Sequence, residues 1–240
     1  MSLTSTPSEK SAMLEGAAVK GRSLWDDARA RLLRNKAAVF SLGLLAVLVA
    51  LAFLGPFLWI HDSAHIYRDR VQLAPTWEHL HIFGTDAQGR DLFARTLVGL
   101  RMSLMVGVVA TMVSLAIGVV WGATAGFIGG RVDQLMMRIV DVLYSLPFIF
   151  FVIILMVVFG RNIILIFVAI GAVEWLTMAR IVRGQTISLK GMEFVEAARA
   201  AGVSQFSIIR RHIVPNVLGS VVVYGTLTIP VVILAESFLS

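Results

Sequence analysis

The 240-residue sequence predicts an all-α integral membrane protein, a polytopic helix bundle, and three observations carry that reading. Hydrophobic residues make up 58% of the chain and charged residues 15%, against roughly 45–50% and about 25% in soluble domains. A soluble sphere cannot hide so much apolar side chain, so the surplus must face lipid or other subunits, and an ordinary soluble enzyme is excluded. Apolar stretches of about 20 residues, the length that crosses a bilayer as a helix, recur along the chain. They lack the ten-residue alternation of a membrane barrel. Finally, Lys and Arg are spread unevenly between the loops, as the positive-inside rule requires.

In order along the chain, residues 1–21 are rich in Ser, Thr, Glu and Lys and read as a disordered cytoplasmic tail. Residues 22–36 read as an amphipathic interfacial helix, starting at the Ser23-Leu-Trp-Asp26 cap and placing Trp25, Ala28, Leu32 and Leu33 on one side. Transmembrane spans follow at 37–60 and, after an outer loop at 61–96, at 97–127, 135–159 and 163–181. A cytoplasmic segment fills 182–216 and a fifth span 217–239. Basic residues crowd the segment before the first span (Lys10 to Lys36) and the one before the fifth (Arg180 to Arg211), which puts the amino terminus in the cytoplasm. The net charge of +6 thus reports membrane topology and calls for no nucleic acid. The absence of Cys excludes disulfides, thiolate metal sites and a cysteine nucleophile.

Several residues stand out within this frame. Ala110, Ser114, Gly118, Gly122, Gly126 and Gly130 put a small residue at every fourth position, a stripe that lets another helix approach to backbone contact. Pro147 and Pro230 lie inside the third and fifth spans, where each removes a backbone hydrogen bond and invites a kink suited to a gate or to static packing. Asp141, Glu174 and Glu236 are candidate pathway or gating groups, because an unpaired carboxylate in a membrane is costly. Asp141 is expected to pair with Arg138, three residues away, and Glu236 to reach water at the outer end of its span. Glu174 has no cation nearby in sequence, so it faces an aqueous pathway or pairs with another helix. His61, His65, His79 and His81 cluster near the outer surface, but His79 and His81 merely bracket Leu80, and no metal site is expected.

The segment 182–216 is the most informative. Glu193 to Ala201 is rich in helix formers, Gly202 is placed to end the helix, and Ser204 to cap a second one that Pro215 breaks. Phe194, Val195, Ala197, Ala198 and Ala201 present a small apolar surface that predicts docking into a groove on another protein.

Glu196-Ala197-Ala198, Gly202 and the later Pro215 resemble the EAA signature of bacterial ABC importer permeases, and Arg211-His212-Ile213-Val214-Pro215-Asn216 is similar to the peptide/nickel branch. Gly84-Thr85-Asp86, with Gly89-Arg90-Asp91, resembles the outer-loop GTDxxGRD block of that branch. Gly129-Gly-Arg-Val-Asp133, Asp141 and Ser145-Leu-Pro147 resemble its next block, and Ala235 to Ser240 the start of a further one. The likeness is to the C-type permease subunit of oligopeptide and dipeptide importers. It implies the MetI-like permease fold with six spans, five of which are present here.

The resemblance further implies a pathway shared with a homologous second permease, in a bacterial cytoplasmic membrane, and an extracytoplasmic solute-binding protein as donor. Two ATPase subunits would carry ATP and Mg, since no Gly-Lys-Ser/Thr phosphate loop occurs in this chain and no cofactor is expected on it. Glu196, Ala197, Ala198, Arg199, Gly202 and Pro215 would then form the ATPase-coupling element. The outer-loop block reads either as a turn that caps the second span or as a contact for the solute-binding protein. Two other functions compete: a nickel or small-solute permease of the same branch, and an ion-coupled secondary transporter, which calls for inverted repeats that this sequence does not display.

Overall fold

The computed structural model describes residues 24–147, 150, 153–154, 157–158 and 163–239. The predicted tail, the first two residues of the predicted interfacial helix and part of the third predicted span lie outside the described residues. The chain divides into two compact units, Met1–Leu51 and Ala52–Ser240. In the first, helix α1 (Leu24–Arg34) carries Arg31 and Arg34 in its last turn, where positive charge complements the helix dipole. Helix α2 (Lys36–Leu58) begins at Asn35, whose side-chain oxygen accepts from the Ala38 N–H at 3.2 Å. Phe40, Leu42, Leu44 and Leu45 of α2 are exposed, a surface suited to lipid or another chain.

The second unit holds the end of α2 followed by α3 (Leu92–Ile128), α4 (Gly130–Ser145), α5 (Ile163–Lys190), α6 (Glu193–Ala200) and α7 (Gln205–Ile208). A π-helical turn (Ile209–Ile213) then leads without interruption into α8 (Val214–Leu239). Among the described residues three helices are long and apolar enough to cross a membrane: Lys36–Leu58, Leu92–Ile128 and Gln205–Phe238.

The bundle is built around α3. Its 37 residues make a rod of roughly 55 Å, well beyond a hydrocarbon core of about 30 Å. The small-residue stripe of α3 lies against α5. A Cβ added to Gly118 would come within 2.6 Å of the Met178 Cβ. One on Gly122 would run into the Ala179 carbonyl, and one on Gly126 would lie 2.8 Å from the Arg183 carbonyl. Gly171 of α5 answers, lying against the Ala110 carbonyl at 3.0 Å in the same sense. The paired numbers rise together, so α3 and α5 run parallel, backbone against backbone. Helix α8 runs antiparallel to α3, with Gly107 under Ile229 and Ile233 and Gly225 against Leu115.

Helix α4 folds back after Gly129 and Gly130, whose φ angles of 73° and 58° are left-handed. Trp121, two turns before that glycine pair, donates from Nε1 to the Met136 carbonyl, two turns after it, at 3.3 Å. Trp121 also packs edge-on against Trp175 of α5. Two ion pairs tie α4 to α5: Arg183 grips Asp133 through Nε and Nη2 at 2.5 and 2.6 Å, and Arg180 meets Asp141 at 2.8 Å.

Three expectations are corrected here. Gly130 does not extend the packing stripe, since α3 ends at Ile128 and a Cβ on Gly130 would meet open space. Pro147 does not kink a continuous helix: α4 stops at Ser145, and Leu146 is extended (φ −76°, ψ 130°), the conformation that a following proline imposes. Pro215 does not break its helix either. It follows close on the π turn, which carries the helix past it through a Val214 N–H to Ile209 carbonyl bond. Pro230 lies within α8, which continues through it.

The seam yields a test. Gly122→Leu forces a side chain into the backbone of α5 and should destabilise the folded protein by about 1–3 kcal/mol or more. Gly99→Ala, with nothing within 4 Å of the new Cβ, should be neutral or slightly stabilising. Thermal melts of the purified protein in detergent distinguish the two, and equal melting temperatures would rule out close packing at Gly122.

Candidate functional site

The segment read above as the ATPase-coupling element is built from local chemistry that the sequence displays. Helix α6 starts with Glu193 and Glu196 in its first turn and ends with Arg199 in its last, both favourable to its dipole. It closes in a Schellman motif: the Gly202 N–H reaches the Arg199 carbonyl at 2.9 Å and the Val203 N–H the Ala198 carbonyl at 3.1 Å. Gly202 has φ 76° and open space around its α-carbon, so backbone conformation rather than crowding demands glycine there. Ser204 then caps α7, its hydroxyl accepting from the Ser207 N–H at 3.4 Å.

The segment is rooted in the bundle. Val195, Ile208 and Ile213 are fully buried in one core with Phe127 of α3, Met178 and Val182 of α5, and Val217 and Val221 of α8. This corrects part of the predicted docking surface: Val195 points into its own chain and Ala198 packs half-buried against the same core, whereas Phe194, Ala197 and Ala201 are exposed. The free face carries Glu193, Phe194, Glu196, Ala197 and Ala200, with Phe206 exposed nearby. Arg199 lies with its guanidinium 5.1 Å from the centre of the Phe127 ring, a cation–π contact with α3. Pro215 is separated from this face by the π turn, and Asn216 beside it donates from Nδ2 to the His212 carbonyl at 2.6 Å.

The outer-loop block is a folded cap on α3. Asp91 is the N-cap, accepting from the Ala94 N–H at 2.6 Å. Gly84 and Gly89 have φ angles of 75° and 80°, and a Cβ on either would strike the Leu73 or the Tyr67 carbonyl, respectively. The Thr85 hydroxyl donates to the Arg70 carbonyl and accepts from the Leu73 N–H. Asp86 accepts from the Gln88 and Arg90 N–H groups at 2.8 and 2.9 Å and pairs with Arg95 at 2.8 Å. The Arg90 hydrogen bond above all, with those of Gln88 and the charges of Arg95 and Arg90, holds its carboxyl below the ordinary aspartate value. Of the two sequence readings, this geometry fits the turn that caps a helix.

Behind the block lies a buried network that the sequence reading missed. His81 and Asp91 are fully buried, and His81 Nδ1 donates to Asp91 at 2.7 Å. Trp59 Nε1 donates to the other Asp91 oxygen at 3.2 Å. His61 stacks on His81 with ring centres 4.2 Å apart. The His79 carbonyl can only accept, so His61 donates to it from Nε2 and accepts the Tyr67 hydroxyl at Nδ1, both at 2.9 Å. The donor atoms of His61, His81 and Asp91 lie within 4.8 Å of one another, the closest approach to a metal-ligand set among the described residues. Each ring nitrogen of the two histidines already faces a hydrogen-bond partner, however. These residues are 20 and 10 positions apart in irregular chain, which leaves no periodic signal to find them.

The three membrane carboxylates are not brought together. Asp141 pairs with Arg180 of α5, not with Arg138 as expected, because α4 turns that face toward its neighbour. Glu236 accepts from the Ser103 hydroxyl at 3.0 Å, tying the C-terminal end of α8 to the N-terminal part of α3. Glu174 faces a cleft between α4, α5 and α8.

Two outcomes test this description. The depressed Asp86 carboxyl stabilises the cap above the ordinary aspartate pKa, and that contribution is lost as pH falls through its lowered value. The amide-exchange protection factors of residues 84–92, measured relative to the intrinsic rate at each pH, should therefore fall on acidification, whereas Asp86→Asn should show lower protection at neutral pH and a smaller change with acid. At the coupling turn, Gly202→Val should cost about 1–2 kcal/mol through the left-handed φ alone, and Gly202→Asn less. The melting temperatures of the two variants check the order, and a Val variant as stable as the parent would contradict the assigned strain.

Residues 118–240 match the family described as binding-protein-dependent transport system inner membrane component, and residues 23–75 match the N-terminal TM domain of oligopeptide transport permease C. The chain is 52% identical to the oligopeptide transport system permease protein OppC of Haemophilus influenzae, across 95% of this chain and 73% of that protein. It is 54% identical to OppC of Escherichia coli K12 (92% and 74% covered) and 45% identical to the dipeptide transport system permease protein DppC of Bacillus subtilis (94% and 71% covered). With a family profile over half its length and relatives at 52–54% identity that align with more than nine-tenths of it, the chain belongs to the binding-protein-dependent inner membrane components, the multi-pass permeases of ABC importers.

Proposed function

We propose that this chain forms half of the translocation pathway of a peptide importer and passes the motion of two cytoplasmic ATPase subunits into its helices. The peptide substrate class is supported by relatives at 45–54% identity that are named oligopeptide or dipeptide permeases. The coupling role rests on one observation: Val195, Ile208 and Ile213 share a core with α3, α5 and α8, so a displacement of α6 cannot leave those helices in place. Glu196, Ala197 and neighbouring residues on the free face of α6 would meet the ATPase. Closure of two ATPase subunits around ATP and Mg would move α6, and with it α5 and α8, switching the cavity between its inner and outer openings. A homologous permease would complete the cavity and an extracytoplasmic binding protein deliver the peptide. The amino terminus would lie in the cytoplasm with most of the basic residues.

Proteoliposomes holding this chain, a homologous permease, the ATPase subunits and a binding protein should take up labelled trialanine only with ATP and only when the ATPase subunits are present. Uptake driven by an ion gradient without ATP would establish a secondary transporter instead. Uptake of nickel but not of peptide would move the chain to the other substrate class.

A further inference from the structure

We propose that Glu174 is the subsite of the pathway that receives the α-ammonium group of a peptide, an inference that rests on the peptide-importer reading above. Two overlapping clefts of about 350 and 410 Å³ open between α4, α5 and α8, and Glu174, Tyr144 and Thr177 line both. Tyr224 and Thr228 line the first from the side of α8.

Three features of this cleft point to an ammonium ligand. The first is its charge. Asp133 and Asp141 are neutralised by Arg183 and Arg180, and Glu236 is held by Ser103. Glu174 has no hydrogen-bond or ion-pair partner among the described residues, so a carboxylate in a membrane helix turns its charge toward open space. Such a placement is costly unless a mobile cation or water shares the cleft. The second is the set of acceptors around it. The Thr228 hydroxyl donates to the Tyr224 carbonyl at 2.9 Å, which leaves its oxygen free to accept from an incoming N–H. The third is the chemistry of the cargo. Peptides that differ in every side chain share only their backbone amides and their two termini, so a site tolerant of sequence must read those. A single carboxylate in a wet cleft attracts the amino terminus while binding weakly enough to release it.

The test uses the complete complex in proteoliposomes, with binding protein saturated by trialanine or by N-acetyl-trialanine. Glu174→Gln keeps the shape and removes the charge. It should lower uptake of the free-amine peptide about tenfold while changing uptake of the acetylated peptide less than about twofold, and Glu174→Asp should retain most of the parental rate. Thr228→Val should shift the ratio of the two rates in the same direction by a smaller factor. Copurification of the ATPase subunits and the ATPase rate stimulated by binding protein report assembly independently of cargo. An equal fall for both peptides, or no change in either, would overturn the ammonium subsite and leave the importer reading standing. Failure of the parental complex to take up any peptide would overturn the importer reading and the subsite with it.

Discussion

The backbone-to-backbone contact between α3 and α5 is the constraint on which the other features depend. In a membrane no hydrophobic force separates a helix–helix contact from a helix–lipid contact, so association has to come from close packing. Gly118, Gly122 and Gly126 supply it by letting the carbonyls and side chains of Trp175 to Thr186 into the space that a Cβ would fill. Because the two helices are parallel, the same seam that joins them near Ala110 delivers their C-terminal ends side by side. There, Phe127, Met178 and Val182 form the floor on which the coupling segment rests.

That floor explains how a segment of short helices acquires a defined position. Neither α6, with eight residues, nor α7, with four, would hold its shape alone in water. The Schellman turn at Gly202 and the Ser204 cap set the angle between them, and Val195, Ile208 and Ile213 anchor both in a core shared with three long helices. The π turn then joins α7 to α8 without a loop, so no flexible joint lies between the coupling segment and the last long helix. At the other end of this bundle, the Ser103 hydroxyl bonds Glu236 and Gly107 packs under Ile229 and Ile233, which joins α3 to α8.

At the opposite end of α3 the outer loop achieves order by different means. It has little regular structure, only isolated pairings such as Thr76 with His81 and Thr85 with Asp91. Order comes instead from left-handed glycines placed against carbonyls and from Asp91, which caps α3 while receiving His81 and Trp59. One carboxylate thereby joins the start of α3, the end of α2 and the middle of the loop.

Much of this was written in local residue patterns. The helical character of the apolar stretches, the packing stripe up to Gly126, the turn at Gly202 and the cap at Ser204 depend on residues a few positions apart, and nearby chemistry decides them. The outer-loop block showed its glycines and charges but not the partners behind them. What only the tertiary structure decided are matters of distant contact. Asp141 answers Arg180 rather than Arg138, Glu236 meets Ser103, Val195 turns inward, and His61 stacks on His81. Pro215 passes into a continuous helix because a π turn relieves the backbone before it. The reason is physical: periodicity and capping describe how a chain bonds to itself within one or two turns. The partner of a charge, and the face a short helix leaves free, are set by which helices the small residues allow to touch.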